Sequence, residues 1–156
     1  MTPAEMTPAK KNMALALALC LLAPLAEAKP ATCRAWTGLE VPYIGDAALG
    51  TLGGATEDRA GRPIILLNPE RLNAFAPLAR DFWLAHECGH HALIPDYNTE
   101  AEADCFAMRS LRKKKIRSAA EMQALTEALR ALPEGAWDGH APDAGRIEAL
   151  AACPAR

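Results

Sequence analysis

The chemistry-bearing side chains of this chain crowd into one stretch, "WLAHECGHHALIPDYNTEAEADCFA", residues 83–107. Within it His86-Glu87-Cys88-Gly89-His90 has the form HExxH. On a helix, at about 100° per residue, His86 and His90 differ by about 40° in azimuth and lie one turn apart, so both imidazoles reach one ion. Such a pair suits zinc, one ion per chain, and Glu87 sits beside that face, placed to take a proton from a water that the ion acidifies. Cys88 falls about 200° from His86, better directed to a disulfide or the core than to a metal. His91 also lies off the metal face.

A hydrolytic zinc site takes three protein ligands and leaves a fourth position open. The segment "EAEAD" offers the third ligand. Glu100 and Asp104 are four residues apart and share one face of a second helix. Glu100 completes a His2Glu set, while Asp104, one turn on, is placed to accept the outer N–H of a ligating histidine and so fix its tautomer. Glu102 points elsewhere and pairs with Thr99 in a capping box. Each part has a plain alternative: HExxH arises by chance in helices, and two acids near a helix N-terminus make a favourable solvent-facing stripe. It is the combination, on two neighbouring helices, that points to a metal.

The elements that must hold these residues follow from pattern. Glycines punctuate residues 29–62, and between them "LEVPYI" and "PIILL" (63–67) read as short strands, with "TEDRAG" as the loop entering the second and Asn68-Pro69 closing it. Gly53-Gly54 reads as a turn. From Pro77 the apolar positions recur at helical spacing through Ala92, and Pro95-Asp96 interrupts them. Thr99 caps a second helix to about Leu111, Ser118 with Glu121 caps a third through Leu132, and a last helix covers Ala144 to Ala152. The fold class is α+β: a small sheet or hairpin, then an active-site helix, a Glu-ligand helix and C-terminal helices.

The N-terminus reads as a secretory signal peptide, residues 1–28. Lys10 and Lys11 precede the apolar run Met13–Leu22, and Ala26-Glu27-Ala28 is a small-x-small cleavage site. Residues 29–156 then form a single domain, periplasmic or secreted, without a transmembrane segment. Cys20 leaves with the leader, and Cys33, Cys88, Cys105 and Cys153 remain for two disulfides in an oxidising compartment, with three pairings open. A net charge of −2 provides no field for nucleic acid or an anionic membrane, and the basic run Arg112–Lys115 with Arg117 reads as a solvated helix face.

"HECGHH…EAEADCFA" resembles the gluzincin metallopeptidases, in a soluble minimal form of the CAAX-prenyl-endopeptidase and heat-shock-protease type. The resemblance implies a zincin-like domain in which His86, His90 and Glu100 bind zinc, Glu87 is the general base and Asp104 supports a histidine ligand. It is strong only in these two motifs. The same group carries a downstream His and Arg six residues apart. "GHAPDAGRIEAL" has His140 and Arg146 at that spacing, with its proline displaced to Pro142. The resemblance implies that His140 and Arg146 approach the site from the other side and stabilise an oxyanion. It also implies that "PIILL" is an exposed edge on which an extended peptide pairs. HExxH peptidases acting on phage-type repressors are similar over "ILLNP…LAHECGHHAL", but the leader and the His140/Arg146 segment speak against that role.

The function implied is a zinc endopeptidase whose partner is a peptide or unfolded-protein substrate, not nucleic acid. The alternative is an exported zinc-binding protein without turnover, its metal structural or used to bind a partner. Closure of the site by a fourth protein ligand such as His140 would separate the two.

Overall fold

The computed structural model describes residues 32–154. The leader expected at residues 1–28, with Cys20, lies outside the described residues.

A β-hairpin opens the domain, β1 (Cys33–Arg34) pairing antiparallel with β2 (Glu40–Val41). Pro42 has no N–H to give a ladder, and after it β3 (Tyr43–Gly45) starts afresh in a second sheet. That sheet has the order β3-β5-β4, with β5 (Pro63–Leu67) parallel to β3 and antiparallel to β4 (Gly53–Glu57). Asn68 ends β5 by capping α1 (Pro69–Asn73). Its side-chain oxygen accepts from the N–H groups of Glu70 and Arg71, with Pro69 in the first turn where a missing N–H is harmless.

Two expectations are corrected here. Gly53-Gly54 opens a strand instead of forming a turn. Gly53 has φ of +108°, and a Cβ there would lie 2.0 Å from the Leu66 carbonyl oxygen, so the pairing of β4 with β5 requires a glycine. "PIILL" is the central strand, not an edge, because β3 and β4 flank it on both sides. The edges belong to β3 and β4.

The helix α2 (Pro77–Ala92) runs beneath this sheet. Its apolar positions bury Ala79, Phe82 and Trp83 completely, against Ile65 of the central strand. Burial of each such aromatic contributes roughly 2–3 kcal/mol from apolar area alone. Leu93 is extended and closes the helix ahead of Pro95. Thr99 then caps α3 (Glu100–Lys114), accepting from the Glu102 N–H at 3.3 Å. Between α2 and α3 the contact is close at Gly89, where a Cβ would lie 3.1 Å from Ala103 Cα. Small residues on both helices let the backbones approach, and that approach brings Glu100 up to the histidines.

Ser118 caps α4 (Ala119–Arg130), Asp143 caps α5 (Ala144–Ala149), and a 3-10 turn continues α5 to Ala152. Leu125, Leu129, Ile147 and Leu150 seal the lower core. The cysteines form two disulfides, Cys33–Cys88 and Cys105–Cys153, closing loops whose ends are 55 and 48 residues apart. Each stabilises the fold by about 4 kcal/mol in the chain-entropy picture. Within the basic run Arg112 is not solvated: its guanidinium donates to the carbonyls of Leu150, Ala151 and Cys153, tying α3 to the end of α5. The fold is α+β as expected, and among the described residues no helix is long and apolar enough to cross a membrane.

Candidate metal centre

Both histidines of the HExxH sequence lie on α2 with their Nε2 atoms converging 3.0 Å apart. Glu100, in the first turn of α3, places Oε2 3.3 Å from His86 Nε2 and Oε1 3.5 Å from His90 Nε2. These donors form one group that can hold a metal ion. The distances are chemically telling. A tetrahedral ion with bonds of about 2.0–2.1 Å needs donors roughly 3.3–3.4 Å apart. The two contacts to the Glu100 carboxylate, one through each oxygen, lie close to that value, and the two imidazole nitrogens at 3.0 Å are somewhat closer.

The outer nitrogens decide the tautomers. His86 Nδ1 meets Asp104 Oδ1 at 2.9 Å and His90 Nδ1 meets Asn98 Oδ1 at 2.8 Å. A carboxylate and an amide oxygen only accept, so each Nδ1 carries the proton and each Nε2 turns a lone pair inward. Two lone pairs facing each other at 3.0 Å make no hydrogen bond. A cation satisfies both. His86 is fully buried, with Phe82 stacked on it, while His90 is partly exposed.

Asp104 is 2% exposed, and its ionised form needs explaining. Burial raises its pKa, but the hydrogen bonds from His86 and Arg146 outweigh burial, and the net direction is down. Arg146 is placed differently from the oxyanion-facing position that the resemblance implied. Its guanidinium is spent on carboxylates: Nε donates to Asp104 Oδ2 at 2.7 Å, and Nη2 to Asp104 Oδ1 at 2.9 Å and Glu100 Oε2 at 3.1 Å. Burial lowers the Arg146 pKa and these partners raise it further than that, so the cation persists. Arg146 thus locks Asp104 behind His86 and orients Glu100.

Glu87 is 5% exposed and lines one cleft with His90, and its Oε2 accepts from the Ala55 N–H of β4 at 2.8 Å. The second oxygen is left for a proton. The negative charge is felt nearby, since burial first and then Glu87 push the Tyr43 hydroxyl up to about 12. His91 is local structure, its Nε2 bonded to the Ile64 carbonyl at 2.8 Å.

His140 reaches the same place from the C-terminal segment, its Nδ1 3.4 Å from Glu100 Oε1 and its side chain 61% exposed. The backbone leading to it is unusual. Trp137 and Asp138 both have φ of 55°, a left-handed conformation that costs about 1–2 kcal/mol for each L residue. Two contacts hold it: Trp137 stacks on Phe82, and Asp138 Oδ2 accepts from the Leu52 N–H at 2.7 Å. Sequence reasoning had no sign of Asn98, Ala55 or Asp138, because each acts through a contact made only in the folded chain.

A cleft of about 760 Å³ opens over Glu87, His90 and His140 and follows β4. Its walls bring together a ligand group, a carboxylate and an unpaired strand edge. No family model, curated protein or solved structure matches the chain.

Proposed function

We propose that this chain is an exported zinc-dependent endopeptidase. The observation that carries the reading is the converging group of His86, His90 and Glu100, with Glu87 beside it in an open cleft. Two imidazoles and one carboxylate are the donor set of open, hydrolytic zinc sites. Zinc, when bound, supplies a Lewis acid that polarises a carbonyl and makes water acidic near neutral pH.

The chain's own groups do the rest. Glu87 accepts the proton of the attacking water and later delivers it to the leaving amine. Asp104 and Asn98 hold the ligand histidines in the tautomer that turns Nε2 inward, and Arg146 holds Asp104 and Glu100 in register. His140, on the cleft rim, is placed to donate to the carbonyl oxygen as it becomes tetrahedral. The Ala55 N–H points away from β5, so β4 presents its open side to the cleft. An extended peptide lying there meets the outer edge of β4, beside the Ala55 N–H that Glu87 already holds. The two disulfides suit the oxidising compartment that the leader implies.

The test is to purify the mature protein, measure its metal, and follow cleavage of an unfolded protein such as reduced casein. Glu87→Gln is expected to keep its full zinc and lose at least about 100-fold in rate. Cleavage that survives Glu87→Gln sinks the mechanism. A second reading, a zinc site without turnover, is favoured by one contact: His140 lies near enough to Glu100 to close the site as a fourth ligand.

A further inference from the structure

The far end of the cleft carries chemistry that the metal centre does not use. Trp36 and Leu39, on the turn between β1 and β2, are each 56% exposed, and both line the cleft that contains Glu87 and His90. A single exposed apolar side chain is ordinary, but two large ones fixed on the wall of a continuous cleft are not.

The turn is fixed by four bonds. Ala35 N–H donates to Leu39 O and Gly38 N–H to Ala35 O, each at 2.8 Å, closing the turn on itself. Trp36 N–H donates to His91 O at 2.8 Å, and the Cys33–Cys88 disulfide ties the hairpin base to α2. The hairpin is therefore anchored at Cys88 and at His91 to the same helix that bears the ligands. Ordering entropy is already spent, which favours binding.

Its position along β4 can also be traced. His91 bonds Ile64, and Ile64 is the register partner of Thr56. Trp36 lines the same cleft as Thr56 and Glu57, and this chain of contacts sets it toward that end of β4. The opposite end, at Leu52, is held by Asp138 next to His140. Glu87 touches the middle, at Ala55. From Ala55 to the end of the strand is two residues, about 7 Å at strand rise, so the hairpin tip lies roughly two to three substrate residues from the scissile bond.

We infer that Trp36 and Leu39 form a subsite for an apolar side chain of an extended peptide, at a fixed position about two to three residues from the bond that is cut. This deepens the endopeptidase reading and rests on it for the word substrate. It assigns a substrate class, segments with a Leu, Ile, Met or Phe exposed by unfolding. An acidic side chain at that position gains nothing from the Trp36 face, meets Glu57 on the same wall, and is disfavoured.

Cut sites in reduced casein, mapped by mass spectrometry, test it with zinc-loaded wild-type protein and the Trp36→Ala/Leu39→Ala double variant. Both side chains are half exposed, so the variant is expected to fold and to keep its zinc. Wild-type cuts are expected to show an apolar residue at one fixed position, and the double variant to lose that preference with a drop of about tenfold in kcat/KM for the preferred sites. An unchanged cut map with unchanged kcat/KM overturns the subsite. A second readout does not depend on turnover. Of the three tryptophans only Trp36 is exposed, with Trp83 and Trp137 at 0% and 2%. In zinc-loaded Glu87→Gln, an octapeptide containing one leucine is expected to shift the emission of Trp36 to the blue, and the same peptide with aspartate in its place is not. If wild type cleaves nothing, the endopeptidase reading falls and the fluorescence decides the subsite alone. A leucine peptide that leaves the emission unmoved refutes it.

Discussion

Gly89→Ala is the substitution for which the packing of α2 on α3 makes the sharpest prediction. The new methyl carbon would sit 3.1 Å from Ala103 Cα, 3.2 Å from Phe106 Cβ and 3.3 Å from Ala103 O. Carbon atoms rest at about 3.5–4.0 Å, so the helices must part by roughly 0.5 Å. Neither neighbour can swing aside as the end of a flexible chain would, because the nearest atoms are backbone and a Cβ. Overpacking of this kind costs about 1–3 kcal/mol, and alanine returns about 1 kcal/mol of helix propensity over glycine. Net destabilisation of the metal-free protein is therefore small, about 0–2 kcal/mol. The larger effect falls on the metal, since α3 carries Glu100 and a ligand set tolerates only about 0.5 Å of displacement. Zinc affinity, read by competition with a chromophoric chelator, is expected to fall by at least about tenfold, comparable to loss of an outer-shell partner. A variant of unchanged affinity, stabilised by the full propensity gain in chemical denaturation, would refute the view that this close approach sets the position of Glu100.

Two further predictions concern the groups around the site. Arg146→Met leaves the Asp104 carboxylate buried with only His86 as partner, and is expected to cost about 3 kcal/mol in denaturation of the metal-free protein, with Asp104→Asn in the same background recovering part of the loss. No loss in the single variant would show that the guanidinium does not hold that carboxylate. Tyr43, pushed up to about 12 from 10.0, contributes stability that is complete below pH 10 and lost as pH rises through 12. In Tyr97→Phe, where Tyr43 is the remaining tyrosine, near-ultraviolet titration of the folded protein is expected to show ionisation near pH 12, and a midpoint near 10 contradicts the burial.

What was legible in the sequence was local. His86 and His90 meet because one helical turn separates them, and Glu100 and Asp104 share a face for the same reason. Thr99 and Ser118 announce their helices because a cap acts on N–H groups two and three residues away. What was hidden depends on partners distant in the chain. Whether "PIILL" lies at the centre or the edge of the sheet is decided by β3 and β4, and β4 itself starts on two glycines that locally read as a turn. The pairing of Cys33 with Cys88 could not be separated from its rivals by spacing. Arg146 shows both sides: its spacing from His140 brought it to the right place, but only the folded geometry shows that it grips Asp104 and Glu100 instead of pointing at an oxyanion.

The central claim is an open zinc site with two imidazoles and one carboxylate. X-ray absorption at the zinc edge of the mature, singly loaded protein tests it most directly, because it counts imidazoles and detects sulfur. The account predicts nitrogen and oxygen neighbours at about 2.0–2.1 Å, two imidazoles contributed by His86 and His90, and a spectrum unchanged in His140→Ala. A third imidazole that disappears in His140→Ala, or sulfur at about 2.3 Å, contradicts it.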